Sequence, residues 1–258
     1  MKDRSGQIDG AETARRAGHL LEIVASASGA LSLQQIVEQS GLTKSTSYRL
    51  IRALQDEGWV ERTSREGYRV GARLIGLASM VNPPDDIVER TRPVLESLAR
   101  ITSETATLHI RNGSYAILAG GAESQKHVLR RAAYIGERTP LTRGCAGLVI
   151  LGNLDAGERA QVLRSLGGTK GSSSVDNTDL ARRLTEVKRR GVALSFGENH
   201  PGVSGIAAPV RAGSSGRVVA SISVAGPDQR WNEVTMQRFA PRLRRACADL
   251  SATLSIAP

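Results

Sequence analysis

The sequence predicts an α+β protein with two domains, an N-terminal winged helix-turn-helix and a larger mixed α/β domain. Helical segments and a short hairpin pattern occupy residues 12–72, whereas strand and helix patterns alternate from residue 85 onward. Asn82, Pro83 and Pro84 separate the two parts, because proline ends a helix and restricts the residue before it. A chain of 258 residues has room for two ordinary domains.

Composition and charge indicate a globular protein that attracts anions. Hydrophobic residues make up 40% of the chain and charged residues 23%, which is typical of a folded domain. The formal net charge of +10 favours nucleic acid, an anionic membrane or an acidic ligand as partner, with solubility alone as the alternative. Residues 1–80 hold 11 basic against 9 acidic side chains, so +8 of this charge lies beyond them. The aromatic content of 3% argues against a protein that stacks single-stranded bases.

Two short helices joined by a tight turn stand near the N-terminus. Ser32 and Gln35 have the spacing of a capping box, which starts the first of these helices. Residues 40–42 form the turn, and Thr43 caps a second helix that runs to Glu57. A capped helix, a glycine turn and another capped helix together predict a helix-turn-helix.

The second of these helices has one apolar and one cationic face. Its apolar stripe has helical spacing and consists of Ser47, Leu50, Ile51 and Leu54. Its polar face consists of Lys44, Ser45, Thr46, Tyr48, Arg49 and Arg52. Cations near a helix N-terminus oppose the helix dipole, so their position there favours an anionic ligand. A recognition helix enters the major groove by its N-terminal residues, so these six side chains are candidate DNA contacts.

A hairpin pattern follows this helix. Two β-prone runs at residues 59–62 and 68–70 flank a polar turn, and Arg62 or Arg65 could contact phosphate there. The order helix, turn, helix and hairpin predicts a winged helix-turn-helix. A plain three-helix module with a solvated charged face remains the alternative.

Motifs in both parts of the chain resemble one family of bacterial regulators. The first block comprises LQQIV at 33–37, SGLTKST at 40–46, YRL at 48–50, EGWV at 57–60 and YRVG at 68–71. The second block comprises RPVL at 92–95, TPL at 139–141, GVA at 191–193, GIAAPV at 205–210 and SVAGP at 223–227. The two blocks in this order are similar to the IclR family over residues 12–254.

The resemblance implies a domain plan and an assembly. Residues 1–11 would be an unstructured start, 12–72 the winged helix-turn-helix, 73–84 a linker helix and 85–258 an effector-binding and oligomerisation domain. The last domain would have a GAF-like α/β fold. The family comparison implies a homodimer or homotetramer on a palindromic double-stranded DNA operator, and a repressor of a catabolic operon.

The resemblance also implies a pocket for a small organic acid. The helix start that would seat a carboxylate on backbone amides is formed by Gly144, Cys145 and Ala146. The other pocket positions of the family correspond to Ser195, Gly205, Ser223 and Ala225.

Four pocket positions depart from common members of that family. Those members often carry an acid at the position of Ser195, a cysteine at that of Gly205, a hydroxyl at that of Ala225 and a lysine at that of Leu148. These departures lead us to expect a roomier, less polar pocket that suits an aromatic or larger apolar acid.

An enzyme is a weaker alternative. The histidines show no metal-binding helical spacing, and no phosphate-binding, dinucleotide-binding or nucleophile-elbow motif occurs, so neither a metal nor a cofactor is expected. Cys145 at a helix start is the one candidate nucleophile. A ligand-independent architectural DNA-binding protein is the other alternative. Two widely spaced cysteines and the lack of a long apolar run predict a soluble cytoplasmic protein with no membrane partner.

Overall fold

The computed structural model divides into two compact units, residues 1–82 and 83–258. It describes the whole chain except residues 1–4, 28, 64–66, 81–86, 125, 128–131, 134, 168–176, 213–215 and 255–258.

The first unit is a winged helix-turn-helix. Its elements are α1 (Ser5–Ser26), α2 (Leu33–Ser40), α3 (Lys44–Asp56), β1 (Val60–Arg62), β2 (Tyr68–Val70) and α4 (Ala72–Met80). Both predicted caps are present: Ser32 and Gln35 form the capping box of α2, and the side chain of Thr43 caps α3. Gly41 ends α2 with φ of +66°, a backbone conformation that favours glycine.

A small apolar core holds these elements together. Its most buried side chains come from α1, α2, α3 and both strands: Leu20, Val24, Ile36, Ile51, Val60 and Tyr68. The strands β1 and β2 pair antiparallel, with Val60 opposite Val70, so the predicted hairpin is present.

The N-terminus differs from the expectation. The predicted unstructured start at residues 1–11 is wrong over residues 5–11, which already belong to α1. The segment contains no proline, and Gly6 and Gly10 are tolerated within a helix, so the helix extends backward from Glu12 by about two turns.

The second unit is a six-stranded sheet with helices on both faces. Its elements are α5 (Ile87–Thr102), β3 (Thr105–Asn112), β4 (Tyr115–Ala122), β5 (Arg138–Pro140), α6 (Gly144–Asn153), α7 (Ala156–Gly167), α8 (Asn177–Arg190), β6 (Ala193–Phe196), β7 (Val203–Arg211), β8 (Val218–Pro227) and α9 (Glu233–Thr253). The strand order is β5-β4-β3-β8-β7-β6, and every neighbouring pair is antiparallel. The α+β fold class is thereby confirmed.

Successive side chains along each strand point to opposite faces of the sheet, and both faces are buried. One face packs against α5 and α9, in a core that includes Leu98, Leu108, Ile206, Ile222, Met236 and Leu243. The opposite face packs against α6 and α8, in a core that includes Leu148, Ile150, Leu184, Val187, Ala193 and Ala207. Nearly all of α6 is buried, so its first residues are held firmly against the sheet.

The expected linker helix at 73–84 falls partly outside the described residues, and α4 covers the part up to Met80. The short strand β5 was not predicted, because three residues carry no periodic signal.

Candidate functional site

The recognition helix α3 is anchored by its apolar stripe. Ser47, Leu50 and Ile51 are buried, and Leu54 packs against the same core. At the N-terminus the Thr43 hydroxyl accepts a hydrogen bond from the Thr46 amide at 3.3 Å. The cap and the stripe together fix which face of α3 is exposed.

The exposed face is rich in hydrogen-bond donors. Its exposed members are Lys44, Ser45, Tyr48, Arg49 and Arg52. Thr46 is half-buried, and its hydroxyl accepts a hydrogen bond from Thr43. The Arg52 guanidinium lies 3.2 Å from the Asp56 carboxylate, which holds it toward the far end of the helix. Lys44 and Arg49 are therefore the cations of the N-terminal half, the part that enters a major groove. Arg65, the predicted wing contact, lies outside the described residues.

A small cavity of about 50 Å³ lies between the N-terminal end of α6 and the sheet. It gathers six of the seven predicted effector residues: Cys145, Ala146, Ser195, Gly205, Ser223 and Ala225. Strand register explains this, because Gly205 stands opposite Ser195 on one side and opposite Ala225 on the other. Residues in register on adjacent strands point to the same face of a sheet.

The seventh residue, Gly144, has a different role. It does not line the cavity; its amide donates a hydrogen bond of 2.9 Å to Oε2 of Glu198. A side chain at this position would collide with the amide of Asn199, and the φ of +67° also favours glycine.

Sequence reasoning missed several polar residues of the cavity. They are Thr107, His109, Glu137, Thr139, Asn199 and Ser204; His200 lines the cavity as well. The Thr107 and Ser223 hydroxyls lie 2.7 Å apart, and His200 Nε2 lies 3.1 Å from the Glu137 carboxylate. Alternation along β3 could have identified Thr107 and His109, since they share the face of Ser223. Glu137 had no such signal, because it lies in a loop.

The expectation of a roomier, less polar pocket stays a prediction, although the described cavity is small and lined mainly by polar groups. Most lining side chains carry a hydroxyl, imidazole, amide or carboxyl group. The space opened by glycine at 205 is taken by the Cys145 thiol: a Cβ on Gly205 would lie 2.9 Å from Sγ. The volume suits a few water-sized groups rather than an aromatic ring.

The surroundings of Cys145 keep its thiol protonated. Burial raises the pKa of this thiol to about 11, and the negative charge of Glu198 also raises it, while a hydrogen bond with Ser195 lowers it. A thiolate is the reactive form, so at neutral pH this cysteine is a poor nucleophile.

Thiol labelling tests this conclusion. We expect Cys145 and Cys247, both buried and with raised pKa values of about 11 and about 12, to react slowly with Ellman's reagent at pH 7.5. Both should react rapidly once the chain is unfolded in urea. Fast labelling of Cys145 in the native chain would contradict the protonated, buried thiol.

The contact between Gly205 and Cys145 gives a second prediction. Gly205→Ala should destabilise the chain by about 1 kcal/mol, because the added methyl overlaps one movable sulfur atom. Urea unfolding would measure the loss of unfolding free energy. Cys145→Ala and the double variant complete a double-mutant cycle. The double variant should recover most of the loss; strictly additive effects would show that the sulfur is not the obstacle.

Comparison with known proteins identifies the family of both units. Residues 83–252 match the family model described as the bacterial transcriptional regulator IclR C-terminal domain, and residues 13–64 match the IclR helix-turn-helix domain. The chain belongs to the IclR family of bacterial transcriptional regulators. It is therefore a DNA-binding regulator rather than an enzyme.

Relatives match this IclR-family chain over nearly its whole length. It is 30% identical to the transcriptional repressor AllR of Klebsiella pneumoniae, with 96% of this chain and 92% of AllR covered. It is 29% identical to the regulator BhcR of Paracoccus denitrificans, with 92% and 85% covered. A putative IclR regulator from Silicibacter has a solved structure with a TM-score of 0.72 and 26% identity, covering 95% of this chain and 98% of that one. Within the described residues, no helix is both long and apolar enough to cross a membrane.

Proposed function

We propose that this IclR-family regulator represses a catabolic operon and leaves its operator when a small organic acid binds the second unit. The observation that carries the proposal is the pairing of an exposed cationic recognition helix with a separate domain that holds a cavity lined mainly by polar groups. Relatives named as repressors support repression rather than activation.

The cavity supports a short, polar acid as effector. Hydroxyl groups of Thr107 and Ser223 and the imidazole of His200 can donate hydrogen bonds to carboxylate or carbonyl oxygens. The first turn of α6 offers backbone amides and the positive end of a helix dipole. A two- or three-carbon oxo acid such as glyoxylate or pyruvate fits this chemistry better than an aromatic acid.

We also propose a homodimer or homotetramer that binds a palindromic operator in the bacterial cytoplasm. Two-fold symmetry of a dimer matches two half-sites about one helical turn apart. The effector must bind one arrangement of the DNA-binding units more tightly than the other, because only differential affinity shifts such an equilibrium.

A gel shift tests the function directly. The probe is the DNA upstream of the chain's own gene, titrated with the full chain in the presence or absence of glyoxylate, pyruvate and benzoate. We expect a specific shift that glyoxylate or pyruvate releases and benzoate does not. Benzoate as the stronger releasing acid would contradict the small-acid effector.

The same experiment addresses the architectural alternative. A shift that no acid changes would favour a ligand-independent DNA-binding protein. No preference for the upstream DNA over a scrambled duplex would contradict a role as repressor at that site.

A further inference from the structure

The N-terminus of α6 is already occupied by a carboxylate from the chain itself. Arg143 stands at the N-cap position but makes no capping hydrogen bond with its side chain. Oε2 of Glu198 instead accepts a hydrogen bond from the Gly144 amide at 2.9 Å. A carboxylate at a helix N-terminus is stabilised by the unpaired amides and the helix dipole.

A second contact fixes the same carboxylate from the other side. Oε1 of Glu198 lies 2.5 Å from a guanidinium nitrogen of Arg183, on α8. Both side chains are about a quarter exposed, so this ion pair is partly shielded from solvent. The Arg143 guanidinium also donates to the backbone carbonyl of Glu198. Glu198 is thus held by α6 and α8 together.

Glu198 lies in a loop with glycine at both ends. Gly197 and Gly202 have φ of +68° and +78°, in the left-handed region where glycine is unstrained. Between them the loop also carries Asn199 and His200, which line the cavity. Movement at these glycines would carry all three side chains together.

The cavity must grow to admit an effector. Its volume of about 50 Å³ compares with roughly 300–1,000 Å³ for typical ligand sites. The other walls are paired strands, a buried helix and the loop residue Glu137, whereas the loop of residues 197–202 has glycine at each end.

We propose that Glu198 is an internal competitor that occupies the carboxylate seat at α6 until the effector displaces it. This inference rests on the proposed acid effector and adds a residue that sets its affinity. As the 197–202 loop moves outward, the cavity opens toward the Gly144 amide, which does not line it in this structure, and an incoming carboxylate takes the place of the Glu198 carboxylate there. The ion pair with Arg183 then breaks or rearranges, which couples occupancy of the seat to α8.

Calorimetry on the full chain measures the competition, with glyoxylate and pyruvate as probes. Glu198→Ala should bind the better probe about tenfold more tightly, as expected when a competitor that occupies the seat about 90% of the time is removed. Glu198→Gln keeps an acceptor without the charge and should show a smaller gain. Glu137→Gln is the matched control, because it removes a carboxylate that lines the cavity and pairs with His200, whereas the Gly144 amide donates to Glu198.

Amide hydrogen exchange at Gly144 provides a readout that needs no ligand. In the acid-free chain, Glu198→Ala should speed this exchange because the hydrogen-bond acceptor is lost, while Glu137→Gln should not. Unchanged exchange in Glu198→Ala would overturn the proposal. Equal gains of affinity in Glu198→Ala and Glu137→Gln would also overturn it, because they would reflect charge alone.

The two experiments distinguish a failure of the proposed function from a failure of the role of Glu198. Faster exchange in Glu198→Ala, with neither acid bound by variant or wild type, would overturn the small-acid effector and the displacement step with it. Tight acid binding with unchanged Gly144 exchange would leave the proposed function standing and remove Glu198 from the seat.

Discussion

Arg49→Ala should weaken operator binding by about 1–3 kcal/mol, a loss of affinity from about fivefold to more than a hundredfold. Arg49 is exposed on α3, one turn after Ser45 and on the same face, where a helix in the major groove meets base edges. Arginine donates two parallel hydrogen bonds to guanine, and alanine replaces neither. Gel-shift titration at a fixed salt concentration measures the change.

Two control variants sharpen this prediction. Arg52→Ala removes a cation from the same helix, but one that pairs with Asp56, so its effect should be smaller. Arg49→Lys keeps the charge without the bidentate geometry and should lose selectivity between operator and scrambled DNA. If Arg49→Ala weakened both duplexes equally, Arg49 would contact phosphate rather than bases. Unchanged operator binding would remove Arg49 from the interface.

Arg230→Ala should destabilise the second unit by about 3–5 kcal/mol, because it leaves a buried carboxylate without its partner. Glu104 is 2% exposed at the start of β3, and both of its oxygens bond to the Arg230 guanidinium, at 2.5 and 3.1 Å. The carboxyl group also packs so closely on Gly226 that a Cβ there would collide with it. Urea unfolding at one protein concentration measures the loss, since oligomers gain stability with concentration.

A surface ion pair in the same unit is the control. Arg92→Ala removes the partner of Glu89, where both side chains are more than half exposed, and should cost at most about 1 kcal/mol. Replacing Glu104 and Arg230 together with methionine should restore much of the stability, because no charge is then left buried. Equal small losses for Arg230→Ala and Arg92→Ala would show that Glu104 reaches solvent in the variant.

Local sequence signals were sufficient to predict the helix-turn-helix of the DNA-binding unit. The capping box at Ser32 and Gln35, the cap at Thr43 and the left-handed Gly41 act over three to five residues, so they can be recognised without tertiary context. The same holds for the exposed face of α3, because helical spacing alone separates it from the buried stripe. The start of α1 was misplaced because no breaker residue marks it.

Only the tertiary structure decided which residues line the candidate effector pocket. The resemblance placed Cys145, Ser195 and Gly205 there, but the filling of the space at Gly205 by the Cys145 thiol depends on the distance between α6 and β7. Glu137 and Glu198 lie in loops without periodicity, and their partners are 63 and 54 residues away in sequence. Sequence patterns describe neighbours along the chain, whereas the volume, polarity and charge of a pocket depend on which distant side chains the sheet register brings together.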